Sequence, residues 1–146
     1  LREMKRGDAM NNEDMLAIQQ EVARYSYTFD SGDAEGWANL FTDEGLWEMY
    51  PIGATEPATR LQGHAELRAF AEKRYAGRPE NLTSYHHQSG VIFDELTRDT
   101  ASVRTMLVLT VKPDGEPVRL FMTGVYTDEW VKTPKGWRLQ YRVLRP

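Results

Sequence analysis

The sequence predicts an α+β fold in which three N-terminal helices pack on a curved, mainly antiparallel sheet and enclose a pocket. Apolar residues recur at three- and four-residue steps in the first half of the chain. The second half is extended in character and rich in Val, Thr, Tyr, Leu and Phe. Helices segregated from an antiparallel sheet define the α+β class. The chain has 146 residues, so a single domain is expected.

The first predicted helix follows an N-terminal arm. Residues 1–11 are polar and aperiodic and are expected to be a flexible arm, which leaves residues 12–146 as the domain. Asn12 is a suitable N-cap for the helix, and Gly32 suits its C-terminal end. The apolar face of this helix consists of Ile18, Val22, Tyr25 and Phe29.

Two further helices and a short strand follow. Asp33 is expected to cap a second, short helix. The apolar face of that helix consists of Trp37, Leu40 and Phe41. A short strand is predicted over Leu46–Tyr50, and the Pro- and Gly-containing stretch Pro51–Gln62 is predicted to be a loop. The third helix opens at Gly63 and closes at Gly77.

Four long strands complete the fold, separated by short turns such as the hairpin signal Asp114-Gly115. Their predicted ranges are Ser84–Glu95, Ala101–Lys112, Val118–Val131 and Trp137–Leu144. An antiparallel sheet of this kind can curl, which leaves an apolar pocket between its concave face and the helices.

Composition excludes several classes of function. The net charge of −4 and the lack of a dense Lys/Arg cluster argue against nucleic acid as a partner. Because there is no cysteine, disulfides, thiol catalysis and Cys-type zinc sites are excluded, which fits a cytoplasmic location. No apolar run is long enough for a membrane span.

Asp30 and the adjacent pair His86-His87 are the residues most suited to chemistry. Asp30 falls at the end of the first helix. On spacing alone, a structural role as a turn residue explains this aspartate as well as a catalytic role does. Neighbouring residues on a strand face opposite sides, so only one of the two histidines can face the pocket. The chain has three histidines without metal-binding spacing, so no metal site is expected.

A carboxylate beside an imidazole would form an acid/base dyad. Imidazole titrates near neutral pH, and a carboxylate at its other nitrogen fixes the tautomer and stabilises the imidazolium. The sequence contains no activated nucleophile motif. Proton transfer is therefore the predicted chemistry, in an elimination, an isomerisation or an aldol-type cyclisation.

Tyr25 and Arg142 are further candidates, each with an alternative explanation. The Tyr25 hydroxyl can hydrogen-bond a substrate oxygen where negative charge develops, but helical periodicity also fits core packing. Strand alternation places Arg142 on the same face as Arg138 and Gln140. Arg142 is then either a residue on a solvated strand face or a cation for a leaving group or a substrate acid.

The order of these motifs resembles the SnoaL-like branch of the NTF2-like superfamily, from about Asp14 to Arg142. The resemblance rests on Arg24-Tyr25, Phe29-Asp30-Ser31-Gly32-Asp33, Trp37, Leu40-Phe41-Thr42-Asp43, Gly45, Gly63, His86, Ser89-Gly90, Gly124-Val125-Tyr126-Thr127-Asp128 and Gly136-Trp137-Arg138. It implies a cone-shaped α+β fold around a pocket. Similar members include scytalone dehydratase, bile-acid 7α-dehydratase and hexachlorocyclohexane dehydrochlorinase, which use an Asp–His pair for cofactor-free elimination.

This resemblance implies a lyase of dehydratase type without cofactor or metal, acting on an apolar cyclic, steroid- or polyketide-like molecule. Its catalytic residues would be His86, Asp30, Tyr25 and Arg142, and its substrate contacts would include Phe29, Trp47, Tyr50 and His87. It also implies a homodimer or homotrimer formed through the sheet. The alternatives are a non-catalytic binding or subunit-type domain, and an enzyme like ketosteroid isomerase or a polyketide cyclase.

Overall fold

A computed structural model describes the backbone of residues 6–146 and the side chains from residue 12 onward. Within these residues the chain forms three helices and six strands. The elements are α1 (Arg6–Ser31), α2 (Ala34–Ala38), β1 (Phe41–Met49), β2 (Thr59–Gln62), α3 (Gly63–Ala76), β3 (Leu82–Leu96), β4 (Thr100–Pro113), β5 (Arg119–Thr133) and β6 (Gly136–Arg145). The fold class is α+β, as the sequence predicts.

Helix α1 begins at Arg6, six residues before the predicted N-cap position at Asn12. Residues 6–11 contain no proline, and extending an existing helix is easier than starting one because each added residue gains a hydrogen bond. The predicted arm over residues 1–11 therefore overlaps the helix, and residues 1–5 lie outside the described part. Three residues of the predicted apolar face are buried, namely Ile18, Val22 and Tyr25.

The second and third helices lie as the sequence predicts. The Asp33 side chain caps α2 and accepts a hydrogen bond of 2.8 Å from the Gly36 backbone N–H. The prediction placed Leu40 and Phe41 on this helix, but the helix ends at Ala38, so Leu40 lies beyond it and Phe41 begins β1. Helix α3 buries Leu67 and Ala71 and ends at Ala76, with Gly77 as its C-cap.

The six strands form one curved, open sheet in the order β2-β1-β6-β5-β4-β3. Only the β1–β6 pair is parallel among the described strands, so the sheet is mainly antiparallel. The four long strands agree with their predicted ranges to within two residues at each end. Strand β2 lies inside the stretch predicted as a loop, because its four residues, Thr-Arg-Leu-Gln, contain a single apolar side chain and give no strand signal.

Two irregularities change which side chains point inward. In β6, Leu139 pairs with Trp130 while Tyr141 pairs with Glu129, so Gln140 is an extra residue, a β-bulge. After the bulge the inward positions change from odd to even numbers, and Arg142 turns into the core. In β3 the register shifts just beyond Ser89, where Gly90 has a φ of +62° that favours glycine.

The helices cover one face of the sheet and leave the other exposed. Helix α1 packs along β3, and α3 packs along β1. Across residues 6–146, no helix combines the length and the apolar character that crossing a membrane requires. The concave face beneath the helices carries the cavity described below.

Candidate active site

The main cavity lies between the concave face of the sheet and helices α1 and α3, with a volume of about 690 Å³. That volume lies within the range of small-molecule pockets. Its buried floor is formed by Tyr25, Trp47, Leu107 and Tyr126. Its remaining walls are formed by Phe29, Met49, Phe70, Arg74, Gly77, Arg78, Pro79, Leu82, Ser84, His86, Leu109, Val111, Phe121, Met122 and Leu144.

Asp30 and His86 form a hydrogen-bonded pair at this cavity. His86 Nδ1 lies 2.6 Å from Asp30 Oδ1, and the His86 backbone N–H donates to Asp30 Oδ2 at 2.8 Å. The carboxylate thus holds both the ring and the strand that carries it. Ser84 Oγ lies 3.5 Å from the same carboxylate. Both side chains of the pair are largely shielded from solvent, at 11% and 16% exposed.

The carboxylate leaves the second imidazole nitrogen available to a ligand. No side chain between residues 12 and 146 hydrogen-bonds to His86 Nε2, and His86 belongs to the cavity wall. The ring is fixed by edge contacts with Phe29, at a centroid distance of 5.2 Å. An imidazole held in one tautomer beside an apolar cavity can accept a proton from a molecule in that cavity.

The two histidines lie on opposite faces of β3. His86 points toward α1, whereas His87 is exposed and its Nε2 lies 3.0 Å from Thr110 Oγ1. His87 does not line the main cavity. The structure therefore brings one of the two predicted residues to the site, as strand alternation requires.

Tyr25 supplies a hydroxyl to the cavity floor. Its Oη accepts a hydrogen bond of 3.1 Å from Trp47 Nε1. Burial raises the pKa of the Tyr25 hydroxyl, and the positive charge of Arg142 offsets only part of that rise. The hydroxyl therefore stays protonated at neutral pH and keeps a proton that it can donate.

Arg142 lies behind the floor rather than in the cavity wall. Its guanidinium is fully buried and makes two hydrogen bonds, of 2.8 and 2.7 Å, to Asp128. Its Cζ lies 4.3 Å from the centroid of the Tyr25 ring and 4.0 Å from that of Tyr126. Burial would lower the pKa of Arg142, but Asp128 outweighs this and raises it, so the cation persists.

Comparison with known families identifies the domain. A family model described as a SnoaL-like domain matches residues 11–143, nearly the whole chain. The chain belongs to the SnoaL-like domain family. The resemblance read from the order of its motifs is therefore confirmed.

Solved structures with the same fold support this assignment. The SnoaL-like chain is 28% identical to Rv3472 of Mycobacterium tuberculosis, a function-unknown protein solved with one Asp replaced by Asn. The TM-score is 0.81, covering 99% of this chain and 77% of the other. A Novosphingobium aromaticivorans protein proposed to be a scytalone dehydratase is 24% identical, with a TM-score of 0.78 and coverages of 94% and 86%.

A further solved structure with a similar fold is described as NTF2-like. An NTF2-like protein with a cystatin-like fold, also from Novosphingobium aromaticivorans, is 21% identical, with a TM-score of 0.76 and coverages of 98% and 90%. At these identities the two Novosphingobium structures establish the fold alone. The SnoaL-like domain thus has the NTF2-like architecture that its sequence predicts.

The predicted substrate contacts divide between the cavity and its surroundings. Phe29 and Trp47 of this SnoaL-like domain line the main cavity. Tyr50 does not, because its hydroxyl donates to Glu48 at 3.0 Å and its ring lies under the Arg145 guanidinium. It borders a smaller neighbouring depression instead.

Sequence reasoning missed Tyr126, Phe70 and two arginines of the cavity wall, Arg74 and Arg78. The inward alternation of β5 could have indicated Tyr126, since Asp128 and Trp130 share its face. No local pattern marks the arginines, because the packing of α3 against the sheet brings the last turn of the helix and the residues just beyond it to the cavity. Among the side chains of residues 12–146, no group of three or more His, Asp or Glu residues is arranged to hold a metal ion.

Proposed function

We propose that this SnoaL-like domain is a cofactor-independent lyase of dehydratase type that removes a proton from an apolar cyclic, steroid- or polyketide-like substrate. The observation that supports the proposal is the 2.6 Å contact between Asp30 and His86 at the wall of a mainly apolar cavity. A dyad that faced solvent, or a cavity filled by side chains, would instead have favoured a binding module.

His86 is the proposed base. Its Nε2 takes a proton from a carbon next to a carbonyl group, and the electron pair of the broken C–H bond forms an enolate. Asp30 accepts the Nδ1–H and stabilises the imidazolium that results. General acid–base catalysis of this kind contributes about 10²- to 10⁴-fold to the rate.

Tyr25 is the proposed donor to the enolate oxygen, because Trp47 occupies an acceptor position of its hydroxyl and leaves the proton free. When the enolate collapses, a C=C bond forms and the C–O bond of a β-hydroxyl group breaks. The His86 imidazolium returns its proton to the departing oxygen. Water leaves, and the dyad returns to its starting state.

Arg142 is proposed as a positioning residue, since it does not line the cavity. Its cation lies against the rings of Tyr25 and Tyr126 and holds both phenols in place. The role considered from its strand position, a cation for a leaving group or a substrate acid, would require an open path to the substrate. The buried pairing of Arg142 with Asp128 argues against that role.

The test begins with a ligand. A thermal-shift screen of steroid and polyketide-like hydroxyketones identifies binders, and mass spectrometry then detects loss of water. His86→Ala and Asp30→Asn should each lower turnover about 10²- to 10⁴-fold while still binding the ligand. The matched controls are His87→Ala on the opposite face and Asp33→Asn, which keeps a good helix N-cap.

Folded His86→Ala or Asp30→Asn variants with full turnover would contradict the proposal. Binding by the wild-type protein without any conversion would favour the non-catalytic alternative. A product of unchanged mass would instead point to an isomerase. These three outcomes can be told apart with the same set of proteins.

We also propose that the domain forms a homodimer or homotrimer through the outer face of the sheet. Met106, Val108 and Val125 are exposed on that face. Met106 and Val125 are paired neighbours on β4 and β5, so these side chains form a continuous apolar patch.

A further inference from the structure

The charged residues of the cavity wall are both arginines. Arg74 is exposed in the last turn of α3, and Arg78 is half-buried just beyond the helix. Within residues 12–146, the lining contains no carboxylate side chain. The protein as a whole has a net charge of −4, so this positive edge contrasts with the rest of the molecule.

Neither guanidinium is neutralised by a neighbour. Among the side chains of residues 12–146, no carboxylate lies within ion-pair distance of Arg74 or Arg78. Arg74 instead lies over the ring of Phe70, with its Cζ 5.2 Å from the ring centroid. Phe70 is itself a cavity residue, so this contact holds the cation against the apolar wall.

Arg78 is held at the same edge by two other contacts. Its Nη1 donates to the backbone carbonyl of Asp30 at 3.2 Å, and its Cζ lies 4.5 Å above the ring of Tyr75. A cation at a helix C-terminus is favourable in itself, which accounts for a basic residue at Arg74. It does not account for two unneutralised cations that both border one apolar cavity.

We propose that the site takes an apolar cyclic ligand that carries one anionic group, such as a carboxylate, and that Arg74 and Arg78 bind this group at the opening. The apolar body would lie against Phe29, Phe70 and Leu109, with its reactive carbon near His86. This inference deepens the proposed function and rests on it for the identity of the site. Arginine suits the role because its planar fork matches a carboxylate.

The test uses two fluorescent probes with one aromatic skeleton. 8-Anilinonaphthalene-1-sulfonate carries a negative charge, and N-phenyl-1-naphthylamine is its neutral counterpart. Arg74→Gln should weaken binding of the anionic probe about threefold, and Arg74→Gln with Arg78→Gln about tenfold, because each partly exposed charge contact contributes on the order of 1 kcal/mol or less. The neutral probe should bind both variants as it binds wild type.

Three controls complete the design. Arg74→Lys keeps the charge and should restore most of the preference for the anionic probe. Arg68→Gln removes a cation from the same helix outside the cavity, and Arg104→Gln removes one from the outer face. Both should leave the binding of the two probes unchanged.

Two results would overturn the inference. One is an equal loss of affinity for both probes in Arg74→Gln, and the other is a loss of affinity that occurs only in Arg104→Gln. The titrations are repeated in His86→Ala, which retains both arginines. If that variant still prefers the anionic probe to the neutral one, the result supports an anionic ligand even if no turnover is ever found. Failure of the proposed reaction is therefore distinguishable from failure of this inference.

Discussion

Arg142 owes its inward orientation to a single extra residue in its strand. Uninterrupted alternation places it with Arg138 and Gln140, whereas the bulge at Gln140 turns it into the core. A buried guanidinium must have a partner, and Asp128 supplies two hydrogen bonds to it. The pair does not face the cavity directly, yet it lies behind the two phenols of the cavity floor.

We expect Asp128→Ala to lower the free energy of unfolding by about 3–5 kcal/mol, because it leaves the buried Arg142 cation without a counter-charge. Replacing both partners by apolar residues, Asp128→Leu with Arg142→Met, should recover most of that loss. Urea unfolding followed by circular dichroism measures both effects. The control is Asp94→Ala, which breaks a bidentate pair with Arg104 that lies in solvent and should cost far less. Equal losses of unfolding free energy in Asp128→Ala and Asp94→Ala would contradict the expectation.

At the scale of elements, Asp14 joins α1 to the β5–β6 hairpin. Its Oδ1 accepts hydrogen bonds from Lys132 Nζ at 2.8 Å and from the Trp137 indole N–H at 2.9 Å. Burial raises the pKa of the Asp14 carboxyl, but these two hydrogen bonds and the Lys132 charge outweigh burial and leave the pKa below its ordinary value. The carboxylate is therefore favoured in the folded state.

This contact predicts a pH-dependent contribution to stability. A carboxyl whose pKa is lowered by folding stabilises the fold above its unfolded pKa of about 4, and the contribution disappears as pH falls through the lower folded value. Asp14→Asn should destabilise the domain by about 1–2 kcal/mol at pH 7, since the Lys132 end is partly exposed.

Chemical unfolding from pH 7 down to pH 3 measures the difference between wild type and Asp14→Asn. The difference should shrink as the medium is acidified below about pH 4. Lys132→Gln removes the same ion pair from the other end and should show the same trend. A difference that stays constant over the whole range would mean that the contact acts through packing alone.

The elements differ in how far the sequence predicts them. Helix α3 was predicted from the glycines at its two ends, Gly63 and Gly77, and the four long strands were predicted from their extended composition and the short turns between them. Strand β2 was not, because its four residues become a strand only by pairing with β1. The start of β1 was missed for a related reason. Phe41 joins the strand by pairing with Leu139 of β6, and the register then shifts before the next pair, Leu46 with Tyr141.

The candidate site was likewise predicted only in part from the sequence. Local pattern identified Asp30, Tyr25 and the two histidines as candidates, and family resemblance selected His86. The contact between Asp30 and His86 joins residues 56 positions apart, so no spacing rule could have supplied it. Arg74 and Arg78 were missed because their relation to the cavity depends on how α3 packs against the sheet.

At the scale of the whole molecule, the sheet has one covered and one open face. Helices α1 and α3 cover the concave face and complete the cavity, whereas the outer face of the sheet is not covered by the described helices. Met106 is 57% exposed, and Val108 and Val125 are each 38% exposed. Contiguous apolar surface of this kind marks an interaction site when it is large.

We expect the wild-type protein to have a solution mass of two or three times the 16.8 kDa of one chain, measured by light scattering after size exclusion. Met106→Lys with Val125→Lys should shift the mass toward that of the monomer, because burying two unpaired ammonium groups at the interface is strongly unfavourable. Ile52→Lys is the matched control, since Ile52 is 87% exposed on a loop away from the sheet. The double variant should keep its ligand affinity, because neither position lines the main cavity. A monomeric wild type at all concentrations, or an unchanged mass in the double variant, would rule out assembly through this face.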